Sequence, residues 1–281
     1  MWEDRKTGER QQKESLARKK KRAKKRRRRR ISKVILSAAL IILIIVTALG
    51  AKDAVSGHSG LMAAALTNPK VREIVKHKDR YPEELLELLE SNEETADFVL
   101  NYPEKKDVLP AETVGEVVQG EIPLLLQWDE RWGYAVYGDD MIAVNGCGPT
   151  VISMVAAGLT GDNTITPYKV AQFSEENGYY AGDSGTSWAL MTEGAQQFGI
   201  YGEEMGLSES GVLSALENGY PVICSMSPGD FTTTGHFIVL TGVEDGKIRV
   251  NDPNSRQRSN QLWDYSTLES QISNLWVYSA V

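Results

Sequence analysis

Polar and apolar positions in the first fifty residues are segregated into blocks. Every position from Arg18 to Arg30 except Ala23 is basic, and after Ile31-Ser32-Lys33 the stretch from Val34 to Ala51 carries no charge and is rich in Ile, Leu and Val. A run of roughly 17 to 25 apolar residues spans a hydrocarbon core, so residues 34–51 are expected to form a transmembrane helix behind a basic tail at 1–33. The pattern then changes to helical spacing. In Tyr81 to Glu90, Leu85, Leu88 and Leu89 share one helix face with Leu86 beside them, Pro82 suits the first turn, and Glu83 and Glu84 suit the positive end of the helix dipole. Similar signals in Asn68 to Lys76 and Glu93 to Leu100, ending near Asn101-Tyr102-Pro103, make residues 52–119 a helical stalk or linker.

From Ile122 onward the apolar runs become short and glycines frequent, as in a compact domain over about residues 120–281. Pro123 to Gln127 reads as a short strand or loop. Helices are expected from Pro149 to about Gly158, from Thr166 to Asn177 with Thr166-Pro167 as cap and first residue, from about Ser187 to Phe198, and from Ser208 to Asn218. Strands are expected at Pro221 to Met226, His236 to Val243, Lys247 to Val250 and Trp276 to Tyr278. The middle pair is joined through Glu244-Asp245-Gly246, a hairpin turn signal. Helices first and a sheet afterwards make an α+β architecture.

Charge sharpens the division. Residues 1–33 hold 17 of the chain's 31 Lys and Arg and only 4 of its 38 Asp and Glu, so a strongly basic tail precedes a strongly acidic remainder. Lysines and arginines beside a span stay cytoplasmic, which predicts a single-pass protein of the cell membrane with its N-terminus inside and its C-terminal domain extracytoplasmic. A polybasic segment abutting a span is an orientation signal that also binds anionic lipid; nucleic acid is not the expected partner. A cleaved signal peptide is the rival for this region, but the basic run and the apolar run are both long for one.

Candidate chemistry begins at Gly146-Cys147-Gly148-Pro149-Thr150, which runs directly into Val151 to Ala157 and sets a cysteine at a helix start. Pro149 costs nothing in a first turn, and the glycines let the backbone turn sharply and leave the sulfur uncrowded. Free N–H groups at a helix start favour a thiolate, the nucleophilic form. The only other cysteine, Cys224, lies in the apolar Val222-Ile223-Cys224-Ser225-Met226, where it reads as a small core residue and not as a disulfide partner.

A thiol hydrolase needs a base, a group that orients the base, and donors for the oxyanion. His236 is the only histidine after the stalk, since His58 and His77 precede it. The strand that pairs with the histidine strand ends in Asn251-Asp252-Pro253, and either side chain can accept the imidazole N–H. An even turn puts Asn251 on the face of His236, whereas an odd turn or a bulge puts Asp252 there; periodicity leaves both open. Gln127, in Leu125-Leu126-Gln127-Trp128-Asp129, is the candidate oxyanion donor beside the Cys147 N–H. The loop Gly182-Asp183-Ser184-Gly185-Thr186-Ser187-Trp188 reads first as turn and cap chemistry and second as a substrate-lining loop. Asp139 and Asp140 have no His or Cys at ligand spacing, and neither a metal nor a cofactor is expected.

The set Leu126-Gln127-Trp128-Asp129 with Trp132-Gly133, then Asn145 to Thr150, then Gly235-His236-Phe237-Ile238-Val239-Leu240, then Asn251-Asp252-Pro253, resembles the papain-like cysteine peptidases, most closely their C39-like branch related to the double-glycine leader peptidases. The resemblance covers about residues 122–281. It implies a papain-like fold in which the helix carrying the cysteine packs on an antiparallel sheet, with Cys147 as nucleophile, His236 as base, Asp252 as orienting acid and Gln127 at the oxyanion hole. It also implies a peptide or protein substrate. Unlike the leader peptidases, the chain has no nucleotide-binding motif and one expected span, so cleavage after double glycine is not the expected activity. The same triad serves a hydrolase of cell-wall peptides or an acyltransferase, and the rival from another class is a surface-binding module that keeps the fold without catalysis.

Overall fold

A computed structural model of the chain describes residues 59–182 and 185–281. The basic tail, the expected span at 34–51 and residues 183 and 184 lie outside the described residues; among the described residues no helix is long and apolar enough to cross a membrane. Residues 64–281 form one compact unit.

The first part of that unit is helical. Helix α1 (Pro69–Lys76) starts at Asn68, whose side chain accepts from the Lys70 N–H, with Pro69 as its first residue. In α2 (Glu83–Ser91) all four expected leucines are buried, and Pro82 stands at the cap position. Helix α3 (Ala96–Lys105) continues past Pro103 and buries Phe98 and Val99. These helices, expected as a stalk, pack with the residues that follow. The Phe98 ring stacks on Tyr134 with centroids 4.2 Å apart, the Tyr134 hydroxyl donates to the Phe98 carbonyl at 2.8 Å, and Asn101 and Lys105 both bond the Glu130 carboxylate.

After a two-stranded hairpin, β1 (Val136–Tyr137) and β2 (Asp140–Met141), and one turn of helix, α4 (Ile142–Asn145), the apolar run that follows Cys147 forms α5 (Cys147–Thr160). Every residue of α5 from Gly148 to Gly158 is buried, as expected of a helix without a polar face. Its buried hydroxyls are satisfied locally: Thr150 donates to the Gly146 carbonyl at 2.6 Å and Ser153 to the Ile165 carbonyl at 2.5 Å. Gly161 ends the helix with φ 76°, a left-handed conformation that glycine adopts without strain. Helix α6 (Pro167–Glu176) opens on Thr166 as expected, its hydroxyl accepting from the Lys169 N–H. The helix expected from Ser187 to Phe198 is instead a short α7 (Ala189–Thr192) followed by a 3-10 segment, Gly194–Phe198. Gly194 sits at the break, where a Cβ would lie 2.8 Å from Leu190 Cδ1.

The rest is sheet with three helices. Strands β3 (Ile200–Glu204), β4 (Val222–Met226), β5 (His236–Glu244), β6 (Lys247–Asn251), β7 (Leu262–Trp263) and β8 (Ile272–Ala280) form one antiparallel sheet in the order β3-β8-β4-β5-β6-β7. One face, including Ile223, Phe237, Val239 and Trp276, packs on α5. The other, including Cys224, Ile238, Leu240 and Val250, is covered by α8 (Glu209–Glu217) and α10 (Tyr265–Glu269); between β6 and β7 lies one more helical turn, α9 (Arg256–Ser259). The architecture is therefore α+β with an antiparallel sheet. Pro123 to Gln127 is not a strand.

The β5–β6 hairpin carries the detail that matters for the site. Glu244 pairs with Lys247, leaving Asp245 and Gly246 as a two-residue loop with φ of 52° and 73°, the all-positive pattern of a type I′ turn. Further along, Leu240 pairs with Val250 but Gly242 pairs with Arg249, so Thr241 is an extra residue in β5. This bulge shifts the pairing by one: Val239 faces Asn251, and Asp252 falls on the side of the sheet that His236 occupies.

Candidate active site

Cys147 is the first residue of α5, and the glycines around it are there for a reason other than the expected sharp turn. Gly146 has an ordinary φ of −89°. A Cβ on it would lie 2.5 Å from Ile142 Cγ2 and from the Ile142 carbonyl oxygen, and one on Gly148 would lie 2.6 Å from Thr186. Both positions are kept bare because α4 and the strand-like residue Thr186 press directly against the turn that presents the sulfur. Both cysteines are free, and Cys224, fully buried in β4, has its thiol pushed well up by burial.

His236, at the start of β5, places Nε2 at 2.8 Å from Asp252 Oδ1. Cys147 lines the same clefts as His236 and acts electrostatically on its imidazole; with Nε2 engaged, Nδ1 is the nitrogen left for the sulfur. Burial by itself favours the neutral imidazole, but the Asp252 carboxylate and the cysteine outweigh it and the group is pushed up to about 10. Asp252 is fully buried, which alone would raise its carboxyl; the charges and hydrogen bonds of His236 and Arg258 hold it below the usual range. Its Oδ2 accepts from Arg258 Nε at 2.5 Å and its Oδ1 from the Asn254 N–H at 2.7 Å. Asn251, the other candidate left open by periodicity, points elsewhere: its amide donates to the Ile122 carbonyl at 3.0 Å.

Gln127 is buried beside these residues and lines the same cleft. Its Nε2 donates to the Ala143 carbonyl at 2.7 Å and, more loosely, to that of Val144 at 3.3 Å, while its Oε1 has no partner among the described residues. The neighbouring tryptophans of the motif are structural. Trp132 Nε1 donates to the Leu126 carbonyl and Trp128 Nε1 to that of Asn254, which ties the Gln127 segment to the loop after Asp252.

Two adjoining clefts, of about 500 and 690 Å³, meet at Cys147 and His236. Glu84 of α2 borders both, and Glu87 borders the first together with Asp230 and Arg258. The second is walled by Asp139, Asp140, Tyr180 and Trp188. In the loop read as turn and cap chemistry, the Ser187 hydroxyl accepts from the Ala189 N–H at 3.3 Å, and Gly182, Gly185 and Thr186 line the cleft. Asp140 is raised by burial, with Glu84 and Glu87 adding to the effect. Among the described residues, no group of three or more His, Cys, Asp and Glu side chains is arranged to hold a metal ion.

Arg258 and the wall from α2 were not anticipated from the sequence. No periodicity marks an arginine six positions after Asp252, and the leucine pattern of α2 announces a buried face without saying what its acidic face meets.

The sequence model of the Peptidase_C39 like family matches residues 119–280. No curated protein matches the chain. Among solved structures, the chain is similar to the peptidase domain of Streptococcus ComA, a bifunctional ABC transporter involved in a quorum sensing pathway, at 20% identity and a TM-score of 0.39, covering 49% of this chain and 93% of that one. It is also similar to a double glycine motif protease from an AMS/PCAT transporter in complex with its leader peptide, at 14% identity and a TM-score of 0.38 over 58% and 94% of the two chains. A C39-like peptidase from Bacillus anthracis aligns at 16% identity and a TM-score of 0.34 over 58% and 96%.

Proposed function

The chain belongs to the Peptidase_C39 like family, and on that premise we propose that it is a membrane-anchored, extracytoplasmic cysteine peptidase working through Cys147, His236 and Asp252. The observation that carries the reading is the 2.8 Å contact between His236 and Asp252 at the cleft that holds the Cys147 thiol. In the reaction the Cys147 thiolate attacks the peptide carbonyl carbon. The His236 imidazolium protonates the departing amine as the C–N bond breaks, leaving an acyl-thioester. The neutral imidazole then takes a proton from water, whose oxygen attacks the thioester; the C–S bond breaks, the carboxylic acid leaves and the thiolate–imidazolium pair is restored. Asp252 holds Nε2 and so keeps Nδ1 toward the sulfur, as an orienting acid does in such triads. The Cys147 N–H and the Gln127 amide N–H that is held only loosely by Val144 serve the oxyanion.

The uncharged run at 34–51 behind the basic tail supports a single-pass anchor with the N-terminus in the cytoplasm and anionic lipid against the tail. The peptide or protein substrate is then met outside the membrane. The test is peptide-library turnover by the full chain in vesicles, comparing wild type with Cys147→Ala; hydrolysis undiminished in the variant refutes the mechanism. Proteolysis of right-side-out and inverted vesicles tests the orientation, and a C-terminal domain cut only in inverted ones refutes it.

A further inference from the structure

The loop that carries the triad acid is clamped from outside the segment matched by the family. Residues Pro253 to Gln257 connect Asp252 to Arg258, and five of their polar groups are met by Asn92 and Glu94, in the bend between α2 and α3. The Asn92 side-chain amide donates to the Asn254 carbonyl at 2.5 Å. Glu94 Oε1 accepts from the Ser255 hydroxyl at 2.5 Å, Oε2 accepts from the Arg256 N–H at 3.0 Å, and the Gln257 N–H reaches both oxygens at 3.3 Å. The Ser255 hydroxyl in turn accepts from the Arg258 N–H at 3.1 Å, and Arg258 Nε bonds Asp252. One chain of contacts thus runs from Glu94 through Ser255 and Arg258 to Asp252 and on to His236, which faces the cleft shared with Cys147.

We infer that Glu94 is a positioning residue for the triad, holding the 254–258 loop so that Asp252 and Arg258 keep His236 directed at the sulfur. This rests on the peptidase reading and goes beyond it, because residues 92–94 precede the matched segment at 119–280. The carboxylate is suited to the task. A single group takes a hydroxyl and two backbone N–H donors at the opening turn of α9, donors that have no partner within the helix. The loop has other anchors, the Trp128 indole on the Asn254 carbonyl, the Gln127 N–H on that of Pro253 and the Arg256 guanidinium over the Trp128 ring. These hold its first half or its surface, and its second half is held by the Ser259 hydroxyl on the Ser255 carbonyl at 2.7 Å and the Trp263 indole on the Arg258 carbonyl at 3.1 Å; among the described residues outside the loop, Glu94 alone accepts from the hydroxyl that caps the turn leading to Arg258. The titratable and charged groups that act on the imidazole are Asp252, in contact with it, Cys147 across the cleft, and Arg258 behind Asp252.

The experiment is the pH dependence of Cys147 alkylation by iodoacetamide in the full chain, read by mass spectrometry, beside the kcat and KM for a cleaved peptide. Glu94→Ala is expected to move the alkaline limb of alkylation down by about one pH unit and to lower kcat about tenfold with KM within about twofold. Glu94→Gln, which keeps an acceptor for Ser255, should recover most of both. Should Glu94→Ala fold poorly, Asn92→Ala opens the same clamp from its other side and should shift the limb in the same direction. A folded Glu94→Ala protein with the wild-type limb and kcat overturns the inference alone. A wild-type thiol that is inert at every pH overturns the peptidase reading and this inference with it.

Discussion

Replacing Gly148 with alanine puts a methyl group where the structure has no room for one. Its Cβ would lie 2.6 Å from both Thr186 Cβ and Oγ1 and 2.8 Å from Cγ2, where ordinary contact begins at 3.4 Å. Thr186 cannot swing aside without loss: it is buried, and its hydroxyl shares a hydrogen bond of 2.9 Å with Tyr137, which also meets Ser174 at 2.8 Å. Overpacking of this kind costs about 1 to 3 kcal/mol, and losing one buried hydrogen bond adds about 1 kcal/mol. A destabilisation of about 2 to 4 kcal/mol lowers the Tm of a unit this size by roughly 5 to 15 °C. Urea unfolding followed by tryptophan fluorescence measures it. Thr186→Gly removes every atom the new methyl meets, so Gly148→Ala should cost little further in that background. Should Gly148→Ala unfold within about 0.5 kcal/mol of wild type, or should the two changes simply add, the close-approach explanation is wrong.

Asp252→Asn removes the carboxylate that raises His236. Because the folded value of about 10 lies above the ordinary 6.5, the stability it contributes is complete below about pH 6.5 and is lost as pH rises through about 10. In the variant that alkaline loss of stability should fall toward pH 6.5; a loss still centred near pH 10 counts against the pair. Phe98→Ala deletes a buried ring stacked on Tyr134 and should cost about 3 to 5 kcal/mol in chemical denaturation, whereas a cost under about 1 kcal/mol would mean that α3 is not part of the cooperative unit. Native protein should take up one equivalent of iodoacetamide, at Cys147, and unfolded protein two, since Cys224 is sealed in the core; native labelling of Cys224 refutes that burial.

Much of this arrangement was legible before the fold was known. A cysteine before an apolar run, one histidine on a strand and a hairpin ending in Asn-Asp define the candidate site from local signals alone. The choice between Asn251 and Asp252 was not legible in periodicity, because it depends on the extra residue at Thr241 and no residue type marks a bulge; only the family resemblance pointed to Asp252. Strand β3 was missed for a related reason. In Ile200-Tyr201-Gly202-Glu203-Glu204 the inward positions are Ile200 and Gly202, so the alternation is nearly silent; Gly202 is bare because a Cβ would lie 2.3 Å from the Met191 carbonyl. Glu94 was invisible as well: its partners stand some 160 positions away, and an acid after a polar turn looks like any solvated helix start.

The place of β8 between β3 and β4 has a bearing on how the chain is made. On a ribosome β4, β5 and β6 emerge in succession and can zip together through neighbouring turns, so His236 and Asp252 gain their framework early. Strand β3, made before them, has no partner in the sheet except β8. Until β8 is synthesised, β3 and one side of β4 are bare edges, and α5 faces a sheet with its centre missing. The nascent protein therefore carries its base and acid on a formed hairpin while the surface that seats its nucleophile helix is still incomplete, which delays the assembled thiol site until β8 has been made.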